Sequence, residues 1–268
     1  MPDRFAGGPG VLPRFFLGLT LALLATLPGC GRPAALREPA PVAFTTSDGV
    51  TLQGFVYAPA PGEAPPPGLL LVHRPGADHN SWTTFAERAR QDGFLVLAFD
   101  VRGHGASVRR GTEVLSYKSF TEDDWRAAQH DLPAAKNALL AAGADPKNLA
   151  VGGEGFGASL ALLFGTVDPA MQAVVMVSPV QDEKGIRPAG LLRVADDLPV
   201  LLAAADGDAY AAASAAVLRQ AAPGYCELRS YPGSAHGTDL LVSAPEAIGQ
   251  VLLWLKGIVG PGLAAARD

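Results

Sequence analysis

The chain has 268 residues, 49% of them hydrophobic and 18% charged, a balance that suits one compact α/β domain and excludes a disordered or fibrous protein. Lys and Arg number 21 against 26 Asp and Glu, giving a net charge of −5. No long basic run offers a footprint for a phosphate backbone, so no nucleic-acid partner is expected.

The N-terminus reads differently from the rest. Arg4 and Arg14 precede an apolar run from Phe15 to Leu27, which closes on Leu27-Pro28-Gly29-Cys30. The run is short for a bilayer span and has the basic-then-apolar order of an export signal. With Leu27 three residues before Cys30 and a small residue just before it, the stretch resembles a bacterial lipoprotein signal peptide. That resemblance implies removal of residues 1–29, diacylglycerol on the Cys30 thiol, and a lipid-anchored, extracytoplasmic address in the bacterial cell envelope. An uncleaved anchor is the alternative, with the same address. Removing residues 1–29 takes away Asp3, Arg4 and Arg14 and leaves a net charge of −6, so attachment would rest on acyl chains, each buried methylene being worth ~0.8 kcal/mol. Residues 30–41 are then a lipidated cysteine and a Pro-rich tether. Cys226 is the one other cysteine, so the mature chain has no internal disulfide to stabilise it.

From residue 42 to 260 short apolar runs alternate with helical patterns, which predicts a mostly parallel sheet covered on both faces, and 261–268 form a tail. Val42 to Thr46 and Thr51 to Tyr57, around Ser47-Asp48-Gly49, read as an opening hairpin. Six further strands are expected at 68–73, 94–99, 148–152, 173–178, 199–204 and 225–231. Helices are expected at 81–92, 119–142, 156–167, 208–222 and 245–258. The stretch between Ser178 and Pro199 is the one place for a lid and is too short for a cap domain.

Five loops carry chemistry. His73-Arg74-Pro75-Gly76 follows the third strand, and Asp100-Val101-Arg102-Gly103-His104-Gly105-Ala106-Ser107 the fourth. Gly153-Glu154-Gly155-Phe156-Gly157 follows the fifth; Asp206-Gly207-Asp208 and Ser234-Ala235-His236-Gly237 follow the last two. These resemble the oxyanion loop, the D-x-R-G-H-G-x-S turn, the G-x-S-x-G nucleophile elbow and the acid and histidine loops of the α/β-hydrolase superfamily, in that family's chain order. The size and the absence of a cap resemble the lidless, dienelactone-hydrolase-like esterases. The resemblance implies an eight-stranded α/β-hydrolase fold, Asp208 and His236 as acid and base, and an ester or lactone as substrate class.

At the centre the chain departs from the family. Gly155 stands where the nucleophile belongs, and nucleophilic attack needs a lone pair on a side chain. Reading Glu154 as the nucleophile would put Phe156 where the second small residue belongs; Ser159 lies one helical turn further on, at a lower level. The oxyanion donors expected from the resemblance are the backbone N–H of Phe156 and that of the residue two after His73, which is Pro75 and has none; one residue further lies Gly76. The family's elbow residue sits at positive φ, which glycine adopts at almost no cost. The expectation is a pseudohydrolase that binds a small hydrophobic or ester-like molecule or a protein, with a weak hydrolase working through Asp208 and His236 as the alternative.

A rival reading takes Gly153-Glu154-Gly155-Phe156-Gly157-Ala158 as a G-x-G-x-x-A dinucleotide fingerprint, with Asp182 as ribose ligand. It belongs after a first strand, whereas this run follows the fifth, and it leaves the histidine loops unexplained. His73, His79, His104, His130 and His236 lack close metal-ligand spacing, so no metal or other cofactor is expected. His104 reads as a turn residue, Trp82, Trp125 and Trp254 as packing residues, and Cys226 as a buried, inert thiol.

Overall fold

The computed structural model describes Gly10 and residues 36–259; the signal segment, Cys30 and the tail lie outside the described residues. An antiparallel hairpin, β1 (Ala40–Thr45) and β2 (Val50–Tyr57), opens the fold. Ala40 and Pro41, expected in the tether, already pair with Val56 and Phe55, so the ordered domain begins earlier than residue 42. β3 (Pro67–Val72), β4 (Leu95–Phe99), β7 (Asp145–Glu154), β8 (Met171–Val177), β9 (Val200–Ala205) and β10 (Cys226–Tyr231) run parallel to one another, and β2 joins β4 antiparallel. Two extra strands, β5 (Arg109–Arg110) and β6 (Glu113–Val114), make ten among the described residues where eight were expected. At two residues each, they carry no apolar alternation that a sequence pattern could reveal. The order is β10-β9-β8-β7-β3-β4-β2-β5-β6, with β1 on β2.

The central strands read PGLLLV, LVLAF and VLLAAA and are buried throughout, as strands covered on both faces must be. One face packs Leu70, Val72, Leu97 and Val151 against Leu132, Leu139 and Leu160. The other packs Leu69, Leu71, Val96 and Val175 against Phe85, Val251 and Leu255. The helices are α1 (Thr83–Gln91), α2 (Glu122–Ala127), α3 (Asp131–Ala141), α4 (Phe156–Val167), α5 (Pro188–Leu192), α6 (Ala209–Ala221), α7 (Thr238–Ser243) and α8 (Pro245–Val259).

The single helix expected over 119–142 is broken. α2 starts at Thr121 with a capping box to Asp124, passes through a 3₁₀ turn at Ala128–His130, and gives way to α3. α3 is fixed by a buried ion network instead of by helix periodicity. Arg102 donates its backbone N–H (2.9 Å) and Nε (2.7 Å) to Asp131 and a bidentate pair to Asp48 (2.6 and 2.9 Å), which joins the hairpin turn, the loop after β4 and the start of α3. The connection from Ser178 to Pro199 carries the five-residue α5 and no cap domain.

Candidate active site

β7 ends at Glu154 and α4 begins at Phe156, so Gly155 alone makes the turn between strand and helix. Its φ of +55° and ψ of −124° form a conformation that strains any residue with a side chain. A Cβ built on Gly155 would lie 4.0 Å from His236 Nε2 and 3.3 Å from Arg74 Cβ. A hydroxyl one bond beyond that Cβ falls within hydrogen-bond reach of the imidazole.

The imidazole is held for such a partner. His236 Nδ1 is 2.6 Å from Asp208 Oδ2, which leaves Nε2 as the ring's outward nitrogen. Asp208 is the N-cap of α6, its Oδ1 accepting from Ala211 N–H at 3.3 Å, so the helix start orients the carboxylate. The Asp208 side chain is mostly buried and that of His236 is 45% exposed, so water reaches the ring.

Below the pair lies a fully buried carboxylate. Glu154 Oε1 accepts from Ser81 Oγ and Oε2 from Thr238 N–H, both at 2.8 Å, with Arg74 Nε 3.5 Å from Oε2. The neighbouring Gly237 N–H donates to Ser178 Oγ at 2.8 Å. Two successive amides of the histidine loop are thereby anchored to the ends of β7 and β8. A Cβ on Gly237, which has φ +62°, would overlap Glu154 Oε2. Glu154 is thus a strut and not a nucleophile facing substrate: both its oxygens are spent on neighbouring loops. Ser159 is also buried, and its Oγ has no hydrogen-bond partner among the described residues.

On the other flank, Arg74-Pro75-Gly76-Ala77 forms a turn closed by Ala77 N–H to Arg74 O at 3.1 Å, with Gly76 at φ +81°. This is the type II turn that a central Pro-Gly pair encodes. Pro75 brings no N–H to it. His73 Nε2 accepts from Val101 N–H (2.9 Å), so the ring proton sits on Nδ1 and donates to Arg74 O (2.8 Å). Burial lowers the His73 pKa to about 4 and keeps the ring neutral. Phe156, the first residue of α4, has no intrahelical acceptor for its N–H. Its ring meets Trp125 edge-on at 5.3 Å, and Lys184 Nζ lies 5.1 Å over Trp125.

The other expected residues fall as follows. His104 bonds within its turn through Nδ1 to Arg102 O (3.0 Å) and stacks on Tyr117 at 4.1 Å. Cys226 is buried, which pushes its thiol up to about 11. Asp182 pairs with Arg187 at 2.9 Å in the β8–β9 connection. Asp78, His79 and Asp100 converge to within 4.8 Å, a grouping that sequence spacing did not reveal. Asp100 is already engaged within it: Oδ1 accepts from His79 N–H and lies 2.7 Å from His79 Nδ1, and Oδ2 accepts from Ala106 N–H. Ser81, Ser178 and Thr238 were missed, because each acts through a single contact distant in sequence. For Glu154 a signal was available, a carboxylate in an otherwise apolar strand end.

A mostly parallel sheet, an elbow at positive φ between its central strand and a helix, and an Asp–His pair from the loops after β9 and β10 define the α/β-hydrolase fold. The comparisons agree. Residues 64–195 match the family model described as "Serine aminopeptidase, S33", a span that includes the loop after β3 and position 155 and stops before Asp208. Over 147 residues the chain is 29% identical to the quorum-quenching protein AidA of Acinetobacter baumannii. That match covers 54% of this chain, and the chain spans 45% of AidA's length. Among solved structures, the DcsB complex with its substrate analogue superposes with a TM-score of 0.70 at 15% identity, covering 82% of this chain and 99% of that one. An esterase of Pyrococcus furiosus gives 0.62 at 19% over 83% and 92% of the two chains. The dienelactone hydrolase of Anabaena variabilis gives 0.60 at 19% over 81% and 95%. At such identities these likenesses establish the fold.

Proposed function

We propose that this chain is a membrane-tethered, extracytoplasmic pseudohydrolase: a lidless α/β-hydrolase fold that keeps the acid–base pair and has given up the nucleophile. One observation carries the reading. Gly155 holds the backbone angles of an elbow, with its missing Cβ directed at His236 Nε2. Replacement of a strained residue by glycine stabilises the turn by about 1 kcal/mol, so a chain freed from catalysis has a physical reason to carry it. The role left to the scaffold is binding a small hydrophobic or ester-like molecule, or a protein. A groove of about 440 Å³ lined by Leu163, Ile186, Leu191, Arg126 and Arg187, which shares no lining residue with the Asp208–His236 site, has the chemistry for such a molecule.

A second reading has an observation of its own in its favour. The Asp208–His236 pair, bonded at 2.6 Å and open to solvent, can take a proton from water. The chain would then hydrolyse an ester or lactone slowly by general-base attack, with Phe156 N–H as the remaining oxyanion donor. The dinucleotide reading has less support, since Asp182 is occupied by Arg187 and Gly155 holds an elbow's angles.

A panel of short-chain aryl esters, run on wild type beside His236→Ala, separates the first two. Pseudohydrolase function predicts equal background rates, whereas turnover that depends on His236 moves the assignment to the hydrolase. The anchor is tested separately by metabolic labelling with palmitate, which should vanish in Cys30→Ala; label that persists rejects lipidation at Cys30.

A further inference from the structure

The two ends of the sheet are finished differently. At one end, β1 carries Pro41, and β5 and β6 are two residues long with Arg109, Arg110 and Glu113 among them, all devices that discourage pairing with another chain. At the other end β10 is six residues long, without proline, and among the described residues it pairs with β9 alone.

The backbone groups left over on β10 can be identified. Tyr225 O accepts from Val200 N–H (3.0 Å) and Tyr231 O from Asp206 N–H (2.8 Å), so the odd-numbered residues face β9. N–H and C=O of one residue point to the same edge and alternate along a strand. Cys226, Leu228 and Ser230 therefore turn theirs outward. An antiparallel copy must match these even positions with even positions, which limits a two-fold axis to a few places along the strand.

The charges select among them. Glu227 and Arg229 lie on the same face of β10, 2.6 Å apart. An axis at Glu227 sets the two Glu227 carboxylates face to face, and an axis at Arg229 does the same to the guanidiniums, both unfavourable. Axes at Cys226 or Ser230 leave the charges opposite no partner of the other sign. An axis at Leu228 alone puts Glu227 opposite Arg229 of the second copy, twice by symmetry, and employs all three outward residues. The geometry points to β10 as the interface of a symmetric dimer, in which two sheets join edge to edge with Leu228 on the two-fold axis. The flanks suit burial: Val217 on α6, Tyr225 just before β10 and Leu253 on α8 are large apolar side chains left 42%, 56% and 70% exposed.

Sedimentation velocity of the full chain in density-matched detergent tests this. Wild type should sediment as a dimer at micromolar concentration. Arg229→Glu should weaken association roughly tenfold, and Glu227→Arg combined with Arg229→Glu should restore it. Leu228→Pro removes one outward N–H and no bond to β9, so it should give a folded monomer by circular dichroism. A monomeric wild type, an Arg229→Glu variant that dimerises like wild type, or a charge-swapped double variant that stays weak would each overturn the proposal. Should Leu228→Pro fail to fold, the charge-swap series decides alone.

Discussion

On one flank of the candidate site the acid and histidine loops are braced from several directions: Asp208 by the start of α6, His236 by Asp208, and the following two amides by Ser178 and Glu154. On the other flank the elbow has no side chain, and the turn after β3 carries Pro75, which has no N–H. The Asp208–His236 pair is held in general-base geometry, while position 155 offers no side chain and Pro75 no N–H. The buried Glu154 carboxylate is costly unless fully partnered, and both its oxygens accept hydrogen bonds. One of those bonds, from Thr238 N–H, fixes the loop that carries His236.

The contrast can be broken by rebuilding the missing half. With Gly155→Ser and Pro75→Leu together, aryl-ester hydrolysis should become readily measurable, and adding His236→Ala should then cost roughly 10²- to 10⁴-fold in kcat. Next in size, Gly155→Ser alone should restore at most slight activity, with Pro75→Leu adding roughly 10²-fold. Near-full activity in the single variant would mean that another amide serves the oxyanion. Glu154→Ala strips Ser81 and Thr238 N–H of their acceptor and should lower unfolding stability by about 2 kcal/mol in urea titrations, ahead of any effect on ligand. Gly155→Ser should cost about 1 kcal/mol in the same assay, since φ +55° is strained for serine and Arg74 Cβ must yield by a few tenths of an ångström.

The smallest effect is one of pH. Burial holds the folded pKa of His73 at about 4, below the ordinary value of 6.5, so the unfolded chain takes up the proton first. The stability that neutral His73 contributes is complete above pH 6.5 and is lost as pH falls toward 4. The stability gap between wild type and His73→Gln should therefore narrow between about pH 7.5 and about pH 4.5. A constant gap would show that the ring does not stay neutral in the fold.

Much of this was legible in the sequence because parallel strands buried on both faces advertise themselves as apolar runs, as at Leu69 to Val72 and Leu95 to Phe99. The loops could be ordered along the chain for the same reason. What escaped was set by partners distant in sequence. The break between α2 and α3 follows from Arg102 reaching Asp131, the β5–β6 pair is too short to leave a pattern, and the roles of Ser81 and Ser178 exist only once β7 and β8 bring their loops together. Glu154 was weighed as a nucleophile and is found to be a strut, a distinction that depends on where its two oxygens point.

The most direct test of the central claim is labelling of the full chain with a fluorophosphonate probe, wild type beside Gly155→Ser, followed by peptide mapping. The account predicts no covalent adduct on wild type and an adduct at position 155 in the variant. An adduct on any serine of the wild-type chain would contradict it.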